Sequence, residues 1–480
     1  MKRSSLKKNT YFVAIGQLSQ KVLAFALIPF AARYLGDDGF GKFSLASTIM
    51  FFVFLFNDLG INTYITREIA KNRDIAQRYF FNSLVVKIAL ITLNFVLLAL
   101  FLYFANYATD TNYAIIIFAG YGITTSVMQL SIGIFEAFER MQFEAIVLTL
   151  EKIFITGIGI YVLLKGYGLI IFCGAFLAGG IFSSAVSFFI LKRHFNFSKS
   201  EFQPEVKNIK TLVSSSLPFG ISVFISTVYS NIGVIILSLI KTEQAVGWFS
   251  ASYKFIAITA IIPMITVAAT YPAFSRQMHE SRERVAELFT KCMKYLSYAA
   301  FPLVAGTIIL ADKIIMLIYG KDFVNATYSL KVLVWAAALM FFNIFFTGIL
   351  KAANLQKLMI KIQVIGLGIN IILNLIFIHY YSYIGAAITI VCTEVFIFVT
   401  FYFVAYQKIA KLGEVGFLLK NIVATAIMAL FTLHFKTYNL FAVVFASSVI
   451  FAVSLFLMKG FTFDEILPVS GKLLKRGNDG

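Results

Sequence analysis

Fourteen apolar segments of about 20 residues recur along the chain, separated by short charged or turn-forming breaks. A helix of about 20 residues crosses the hydrocarbon core of a bilayer, which is about 30 Å thick. The composition agrees, because 60% of the residues are hydrophobic, only 13% are charged, and no water-soluble domain could bury 53 Phe. The sequence therefore predicts an all-α integral membrane protein. The predicted spans are residues 10–34, 42–66, 83–105, 113–135, 143–164, 169–191, 213–240, 247–271, 295–311, 330–350, 362–379, 384–406, 417–433 and 440–457.

A short phrase occurs twice, as Gly41-Lys42-Phe43-Ser44 and as Gly247-Trp248-Phe249-Ser250. Each copy follows a brief acidic loop and opens a long apolar run. Such pairing is typical of duplicated halves, which many transporters contain. We therefore predict two pseudo-symmetric lobes followed by a C-terminal segment. Their bounds are 1–200 for the N-lobe with helices 1–6, 201–410 for the C-lobe with helices 7–12, and 411–480 for helices 13 and 14 and a cytoplasmic tail.

Lys and Arg are divided unequally between the two sides of the predicted membrane. If the N-terminus is cytoplasmic, the segments on its side hold about 29 of these residues, against six on the other side. The six are Lys42, Lys165, Lys241, Lys313, Lys321 and Lys436. Because basic loops stay on the cytoplasmic side, we predict that both termini are cytoplasmic. The net charge of +18 then reflects topology, and no nucleic-acid partner is expected.

Little of the chain lies outside the predicted spans. The two largest inner segments, residues 193–210 and 276–294, hold about 20 residues each, and the outer loops hold about ten or fewer. None of these segments could form a catalytic domain. The chain contains no G-x-x-x-x-G-K nucleotide-binding loop, and its four His and three Cys lack metal-ligand spacing. The sequence therefore predicts a protein that is not an enzyme and uses no metal and no cofactor.

Two longer motifs surround the first copy of the repeated phrase. Residues 34–44 read YLGDDGFGKFS, and residues 58–70 read DLGINTYITREIA. With these motifs, nearly the whole chain resembles the Wzx-type oligosaccharide flippases. These belong to the multidrug/oligosaccharidyl-lipid/polysaccharide (MOP) exporter superfamily, which also holds the multidrug and toxin extruders and the lipid II flippase. One difference is visible at residues 231–233, which read NIG where many relatives carry an acidic residue.

The resemblance implies two six-helix lobes around a central cavity, two extra C-terminal helices, and export of undecaprenyl-diphosphate-linked sugars. It also implies motif or gate roles for a set of residues near the span ends. These are Gly36, Gly41, Gly60, Arg67, Glu68 and Gly247. Arg67 and Glu68 lie at the predicted inner surface, which favours a cytoplasmic gate or a loop contact over a substrate site.

Ionisable side chains deep within a span usually face the protein interior or a wet cavity. We predict that Lys21, Lys152 and Lys254 form a cationic cavity for the diphosphate, because ammonium groups bind phosphate as point charges. Polar side chains expected to surround the sugars are Gln17, Ser226 and Tyr229. Lys87 lies near the start of the third predicted span, so we expect it to extend to the membrane interface.

Pairing within the membrane is the alternative interpretation of these charges. Lys21 could pair with Asp58, and Lys152 could be neutralised by Glu151 or extend to the interface. Asp58, Glu151 and Glu394 could be counter-ions or hydrogen-bonding partners between helices, or they could couple transport to an ion.

These observations predict a flippase that moves a lipid-linked oligosaccharide from the cytoplasmic to the outer leaflet for polysaccharide biosynthesis, such as that of the lipopolysaccharide O-antigen. Alternating access of the two lobes is the expected mechanism. The expected partners are an undecaprenyl-diphosphate-linked oligosaccharide, membrane lipids and the polysaccharide polymerase machinery. We expect a monomer in the cytoplasmic membrane of a bacterium or an archaeon.

Two alternatives come from other functional classes. A cation-coupled multidrug extruder of the same superfamily would need acidic residues that face the cavity. A membrane polysaccharide polymerase or glycosyltransferase would need a larger polar outer loop than this chain has.

Overall fold

The structure is a computed structural model that describes residues 3–195, 206–409 and 416–461. Within these ranges, the side chains of residues 3–15, 17, 18, 206–208, 222 and 279 are not described. The described chain is helical throughout, with short turns between helices. The helices are α1 Arg3–Asp58, α2 Ile61–Lys71, α3 Ala76–Ala105, α4 Thr109–Ala137, α5 Met141–Leu164, α6 Gly168–Phe195, α7 Val206–Ile240, α8 Glu243–Thr259, α9 Ile261–Glu280, α10 Arg282–Ile318, α11 Ala326–Ala352, α12 Gln356–Lys408, α13 Gly416–His434 and α14 Leu440–Leu457.

Twelve helical segments of the described chain are long and apolar enough to cross a membrane. Two of them are bent, α1 at Gly36 with φ 68° and α12 at Ser382 with φ 52°. Each bent segment is long enough to cross twice, which brings the number of crossings to fourteen. The predicted all-α membrane fold with about fourteen spans is confirmed.

The second and eighth predicted spans are each interrupted. Residues 42–66 were expected to form one helix, but the helix ends at Asp58, and α2 begins after Leu59 and Gly60. Both of these residues have a left-handed backbone, with φ 44° and 81°. The eighth span is interrupted at Ala260, between α8 and α9. Hydropathy predicted one helix over residues 42–66 because it does not detect backbone conformation. Ala260, in contrast, keeps a right-handed helical backbone with φ −61° and ψ −14°, and residues 243–278 remain one candidate membrane span.

Packing divides the chain into two compact units. The first consists of Met1–Ser250, Tyr319–Phe323 and Ile371–Ala386, and the second of Ala251–Ile318, Val324–Asn370 and Ala387–Gly480. The first unit therefore contains α1 to α7 and part of α8. The lobes 1–200 and 201–410 and the C-terminal segment 411–480 are defined by the sequence repeat rather than by packing, and they stay a prediction.

In the first unit, α1 packs along α4 and α5, and α4 packs along α6. Small residues permit this close approach, as is common between membrane helices. A β-carbon at Gly180 of α6 would overlap the Thr124 hydroxyl and the Tyr121 ring of α4. The position of α6 therefore depends on the absence of a side chain at this residue.

In the second unit, α13 packs against α10 and α14. Buried polar side chains connect these helices. The Asn421 side chain donates to the Ser297 carbonyl at 2.8 Å, and the hydroxyls of Thr432 and Ser447 lie 2.7 Å apart. Since hydrocarbon offers no hydrogen-bond partner, such groups favour contact between the helices. The two C-terminal helices are therefore fastened to the second unit through α10.

We expect Gly180→Leu to destabilise the fold by about 2 kcal/mol, the usual cost of overpacking a close contact. Thermal unfolding of the detergent-solubilised protein would measure this. Gly174→Leu, also on α6, is the matched control, because nothing lies within 4 Å of a β-carbon at that position. Equal unfolding temperatures for the two variants would contradict the prediction.

Candidate functional site

The two copies of the repeated phrase touch each other. A β-carbon at Gly41 would overlap the carbonyl oxygen of Glu243, and one at Gly247 would overlap the carbonyl oxygen of Asp37. Asp37 lies four residues before Gly41, and Glu243 lies four residues before Gly247, so the contact is reciprocal. Only glycine permits so close a backbone approach. We call these four residues the first glycine contact.

Side-chain hydrogen bonds reinforce the first glycine contact from both sides. The indole nitrogen of Trp248 donates to Oδ2 of Asp37 at 3.0 Å. The Thr111 hydroxyl on α4 donates to Oε1 of Glu243 at 3.5 Å. Each acidic residue of the contact therefore presents its carbonyl to a glycine and its carboxylate to a polar side chain.

Lys42 occupies the position in the first copy that Trp248 occupies in the second. Its Nζ lies 2.8 Å from Oδ2 of Asp38 and 2.7 Å from Oδ2 of Asp110 on α4. The chain enters this region through Gly36, whose positive φ of 68° suits glycine. Lys42, which was predicted to lie on the outer side, is thus engaged by two carboxylates.

The helix break after Asp58 touches α7. A β-carbon at Gly60 would overlap the backbone nitrogen of Gly220 and the carbonyl oxygen of Ser216. A β-carbon at Gly220 would lie 2.6 Å from the carbonyl of Leu59. We call Leu59, Gly60 and Gly220 the second glycine contact. It lies just beyond the end of α1, about 28 Å along the chain from Gly41 at 1.5 Å per residue, so the two contacts are separated by about one membrane thickness.

Arg67 lies beside the second glycine contact. Its guanidinium lies 5.3 Å from the ring centre of Phe219 on α7 and 5.7 Å from that of Tyr64. It also forms an ion pair with Glu68 at 2.7 Å, and Lys71 reaches the same carboxylate at 2.9 Å. The hydrogen bonds from Lys71 and Arg67 lower the pKa of Glu68. The motif residues Arg67 and Glu68 therefore lie where α2 meets α7.

Asp58 pairs with Lys87 and not with Lys21. Lys87, on α3, is fully buried, and its Nζ lies 2.9 Å from Oδ1 of Asp58 and 2.7 Å from the Ser126 hydroxyl. The expectation that Lys87 extends to the interface is wrong, and so is the alternative pairing of Lys21 with Asp58. Hydropathy placed Lys87 near a span end, whereas α3 begins at Ala76 and carries this lysine into the packed interior.

Lys152 and Glu151 meet around Tyr121 of α4. The Tyr121 hydroxyl donates to Oε1 of the buried Glu151 at 2.8 Å, and Lys152 Nζ donates to the Tyr121 oxygen at 3.1 Å. Lys152 Nζ lies 4.0 Å from Oε2 of Glu151, and its side chain is 23% exposed. Lys152 is therefore engaged by Tyr121 and Glu151, although part of its side chain stays accessible.

The other predicted cavity residues differ in their exposure. Lys21, on α1, is exposed, and no ion pair joins it to a described residue. Lys254 on α8 and Tyr229 on α7 are half-buried, while Ser226 on α7 is exposed. The side chain of Gln17 lies outside the described residues. The assignment of these side chains to a substrate cavity stays a prediction.

Glu394, on the second half of α12, is buried and bonded to α11. The side-chain nitrogen of Asn343 donates to its Oε2 at 2.6 Å and to its backbone carbonyl at 3.0 Å. At residues 231–233, where this chain differs from many relatives, the Asn231 side chain donates to the Thr227 carbonyl of its own helix at 2.9 Å. The geometry around Glu394 therefore fits a hydrogen bond between helices.

Sequence analysis missed two members of this site. The contact of Gly220 with the helix break left no signal, because a glycine two residues after a proline within a helix can serve several purposes. The sequence did contain a signal for Lys87, since it is the only charged residue in the predicted span 83–105. A solitary charge in a membrane span usually indicates a partner on another helix.

Comparisons with known proteins identify relatives of this chain. Residues 6–278 match the family model described as "Polysaccharide biosynthesis protein", and residues 218–376 match the model named MatE. A Haloferax volcanii protein, named a probable low-salt glycan biosynthesis flippase, Agl15, is 22% identical over 387 residues, which cover 80% of this chain and 79% of that protein. An Escherichia coli K12 protein, provisionally named an O-antigen transporter, is 26% identical over 409 residues, or 81% of this chain and 94% of the relative.

The fold is shared with a solved structure of the lipid II flippase MurJ in an inward closed conformation. The two superpose with a TM-score of 0.75 at 16% identity, over 93% of this chain and 98% of that one.

We expect Gly247→Ala to separate the first glycine contact, because its methyl group would overlap the Asp37 carbonyl. The measurement is the rate of thiol cross-linking between cysteines at positions 111 and 243, whose native side chains touch. The rate should fall by about tenfold or more, as a loss of about 1.4 kcal/mol in contact stability would give. Gly306→Ala is the control, since a β-carbon there meets nothing within 4 Å. An unchanged rate in Gly247→Ala would mean that the contact does not need glycine.

Proposed function

The chain belongs to the polysaccharide biosynthesis protein family, and from this premise we propose that it flips undecaprenyl-diphosphate-linked sugar repeat units across the membrane by alternating access. At a coarser level, the protein is a polysaccharide-precursor flippase of the MOP superfamily and a multi-pass membrane transporter. It is not an enzyme. The substrate's lipid anchor and the transport cycle belong to the proposal.

The pair of glycine contacts is the observation that carries this proposal. They lie near the two ends of the second half of α1, about 28 Å apart at 1.5 Å per residue, and each joins an element of the first repeat to α7 or to the start of α8. If the termini are cytoplasmic, the first contact faces the outside and the second faces the cytoplasm. Opening one while the other stays closed would expose the interior to one side at a time.

Backbone-to-backbone contact determines how such gates can open. A side-chain gate opens when a rotamer changes, whereas Gly41, Gly60, Gly220 and Gly247 have no side chain to rotate. These contacts must therefore open by displacement of whole helices. Rocking of one lobe against the other, known from transporters built of repeats, supplies that displacement.

We assign recognition of the diphosphate to Lys21 and Lys254. An ammonium group attracts phosphate without fixed geometry, which suits a substrate that must later be released. The exposure of Lys21 supports its role. Lys152 would contribute less, because Tyr121 and Glu151 already engage it. Movement of the anionic head group out of an interior-negative cell would gain about 2.3 kcal/mol per charge per 100 mV, enough to drive transport.

The decisive experiment is deletion and complementation, with lipid-linked intermediates assayed on each face of the membrane. We expect the complete oligosaccharide-lipid to accumulate on the cytoplasmic face without the protein and to cross when the wild type is restored. Lys21→Ala and Lys254→Ala should each slow transport by about tenfold or more, since a hydrogen bond to a charged group contributes about 1.5–3 kcal/mol. Lys331→Ala, on an exposed residue of α11, is the control at equal expression.

Multidrug extrusion is the second candidate, and the MatE match over residues 218–376 favours it. The same deletion strain separates the two functions. If intermediates cross normally without the protein while toxic cations accumulate in the cell, the flippase proposal is wrong and extrusion replaces it.

A further inference from the structure

The break between α1 and α2 has an unfavourable backbone. Leu59 and Gly60 are consecutive and both left-handed, with φ 44° and 81°. Glycine adopts this conformation readily, but the β-carbon of leucine disfavours it. Such a conformation persists only where surrounding contacts determine it.

Asp58 supplies the nearest of those contacts. Its Oδ2 accepts a hydrogen bond from the Gly60 backbone at 3.2 Å, and its Oδ1 accepts one from the Asn62 backbone at 3.4 Å. These two N–H groups belong to the break and to the first turn of α2, where the helix offers no partner. The carboxylate therefore holds both the break and the start of α2.

Lys87 holds this carboxylate from α3. The lysine is 0% exposed, and its Nζ lies 2.9 Å from Oδ1 of Asp58. Neither charge can leave the pair without stranding the other in a medium of low dielectric constant. Seven residues further along the same helix, Asn94 donates to the side chain of Asn57 at 3.0 Å. α3 therefore contacts the end of α1 through two polar side chains, Lys87 and Asn94.

The same break forms the second glycine contact. Gly60 and Leu59 lie backbone to backbone against Gly220 of α7. Because no side chain intervenes, no flexible group can absorb a change in the path of the break. Whatever fixes Asp58 therefore also fixes the surface that α7 meets.

We propose that Lys87 is a positioning residue for this contact: through Asp58, its buried charge holds the Leu59–Gly60 break in the shape that closes against α7. The hydrogen bonds described for Lys87 go to Asp58 of α1 and to Ser126 of α4. The inference rests on the proposed function only where it treats the contact as the cytoplasmic gate, and its test reads the contact itself.

The test uses two pairs of cysteines in a background in which Cys173, Cys292 and Cys392 are replaced by Ala. Cysteines at 67 and 219 report the second glycine contact, since Arg67 and Phe219 touch there. Cysteines at 111 and 243 report the first. A protease site inserted between residues 196 and 205 separates the members of both pairs. After treatment of membranes with a short bifunctional thiol reagent, the uncleaved fraction measures cross-linking.

We expect Lys87→Met to lower cross-linking of the 67/219 pair by about tenfold or more, because it leaves Asp58 without its buried counter-charge. Cross-linking of the 111/243 pair should stay equal or rise, since one gate opens while the other stays closed. Lys331→Met, the same substitution at an exposed lysine of α11, should change neither rate. A purely structural lysine would instead lower both rates together, and that result would overturn the proposal.

If the Lys87→Met protein does not accumulate in the membrane, the same cross-linking test is made with Asp58→Asn. The asparagine side chain has nearly the same shape and keeps an oxygen acceptor near the break, but it removes the charge that Lys87 holds. The same split between the two reporters is expected. Wild-type cross-linking of the 67/219 pair in this variant, or in Lys87→Met, would overturn the proposal. If the split is found but the wild type moves no lipid-linked oligosaccharide, the substrate assignment fails and the role of Lys87 stands.

Discussion

A bilayer offers no hydrogen-bond partner to an open backbone, so a membrane helix can be interrupted only where protein surrounds the interruption. In the described chain, the bends at Gly36 and Ser382 fall between two membrane crossings, and the break after Asp58 lies against α7. Gly36 leads into the first glycine contact, and the Leu59–Gly60 break forms part of the second. At the bend of α12, Gly385 packs closely on the Phe377 carbonyl. At each of these places, irregular backbone accompanies close packing of one backbone segment on another.

The same constraint explains the fates of the intramembrane carboxylates. Asp58 is paired with a buried lysine, Glu151 is held by a tyrosine with a lysine nearby, and Glu394 is bonded to an asparagine. Lys87, Tyr121 and Asn343 each lie on a different helix from the carboxylate that they contact, and Lys152 donates to the Tyr121 oxygen. Polar groups that hydropathy treats as unfavourable therefore form specific hydrogen bonds and ion pairs between helices. Among the three predicted cavity lysines, Lys21 is the one whose side chain is exposed.

Hydropathy alone predicted the class of fold and the number of crossings, because the bilayer requires about 20 apolar residues from every span. The repeated phrase also marked Gly41 and Gly247 as related positions. Neither signal contains information on φ, so the break at Leu59 lay unrecognised inside the predicted span 42–66. The partner of Lys87 was equally hidden, since pairing between helices depends on how each helix is rotated about its axis, and one sequence without aligned relatives does not determine this.

The reciprocity of the first glycine contact has a consequence for how the halves can change. Each glycine meets the carbonyl four residues before the other, which is the pattern of an isologous interface between two identical subunits. In a symmetric dimer, one mutation alters both sides of such an interface at once. When the two sides belong to a single chain, each can differ from the other. Lys42 in the first copy and Trp248 in the second occupy the same position of the phrase and are different residues. Fusion thus allows one face to bind carboxylates with an ammonium group and the other with an indole, while the shared backbone junction stays the same.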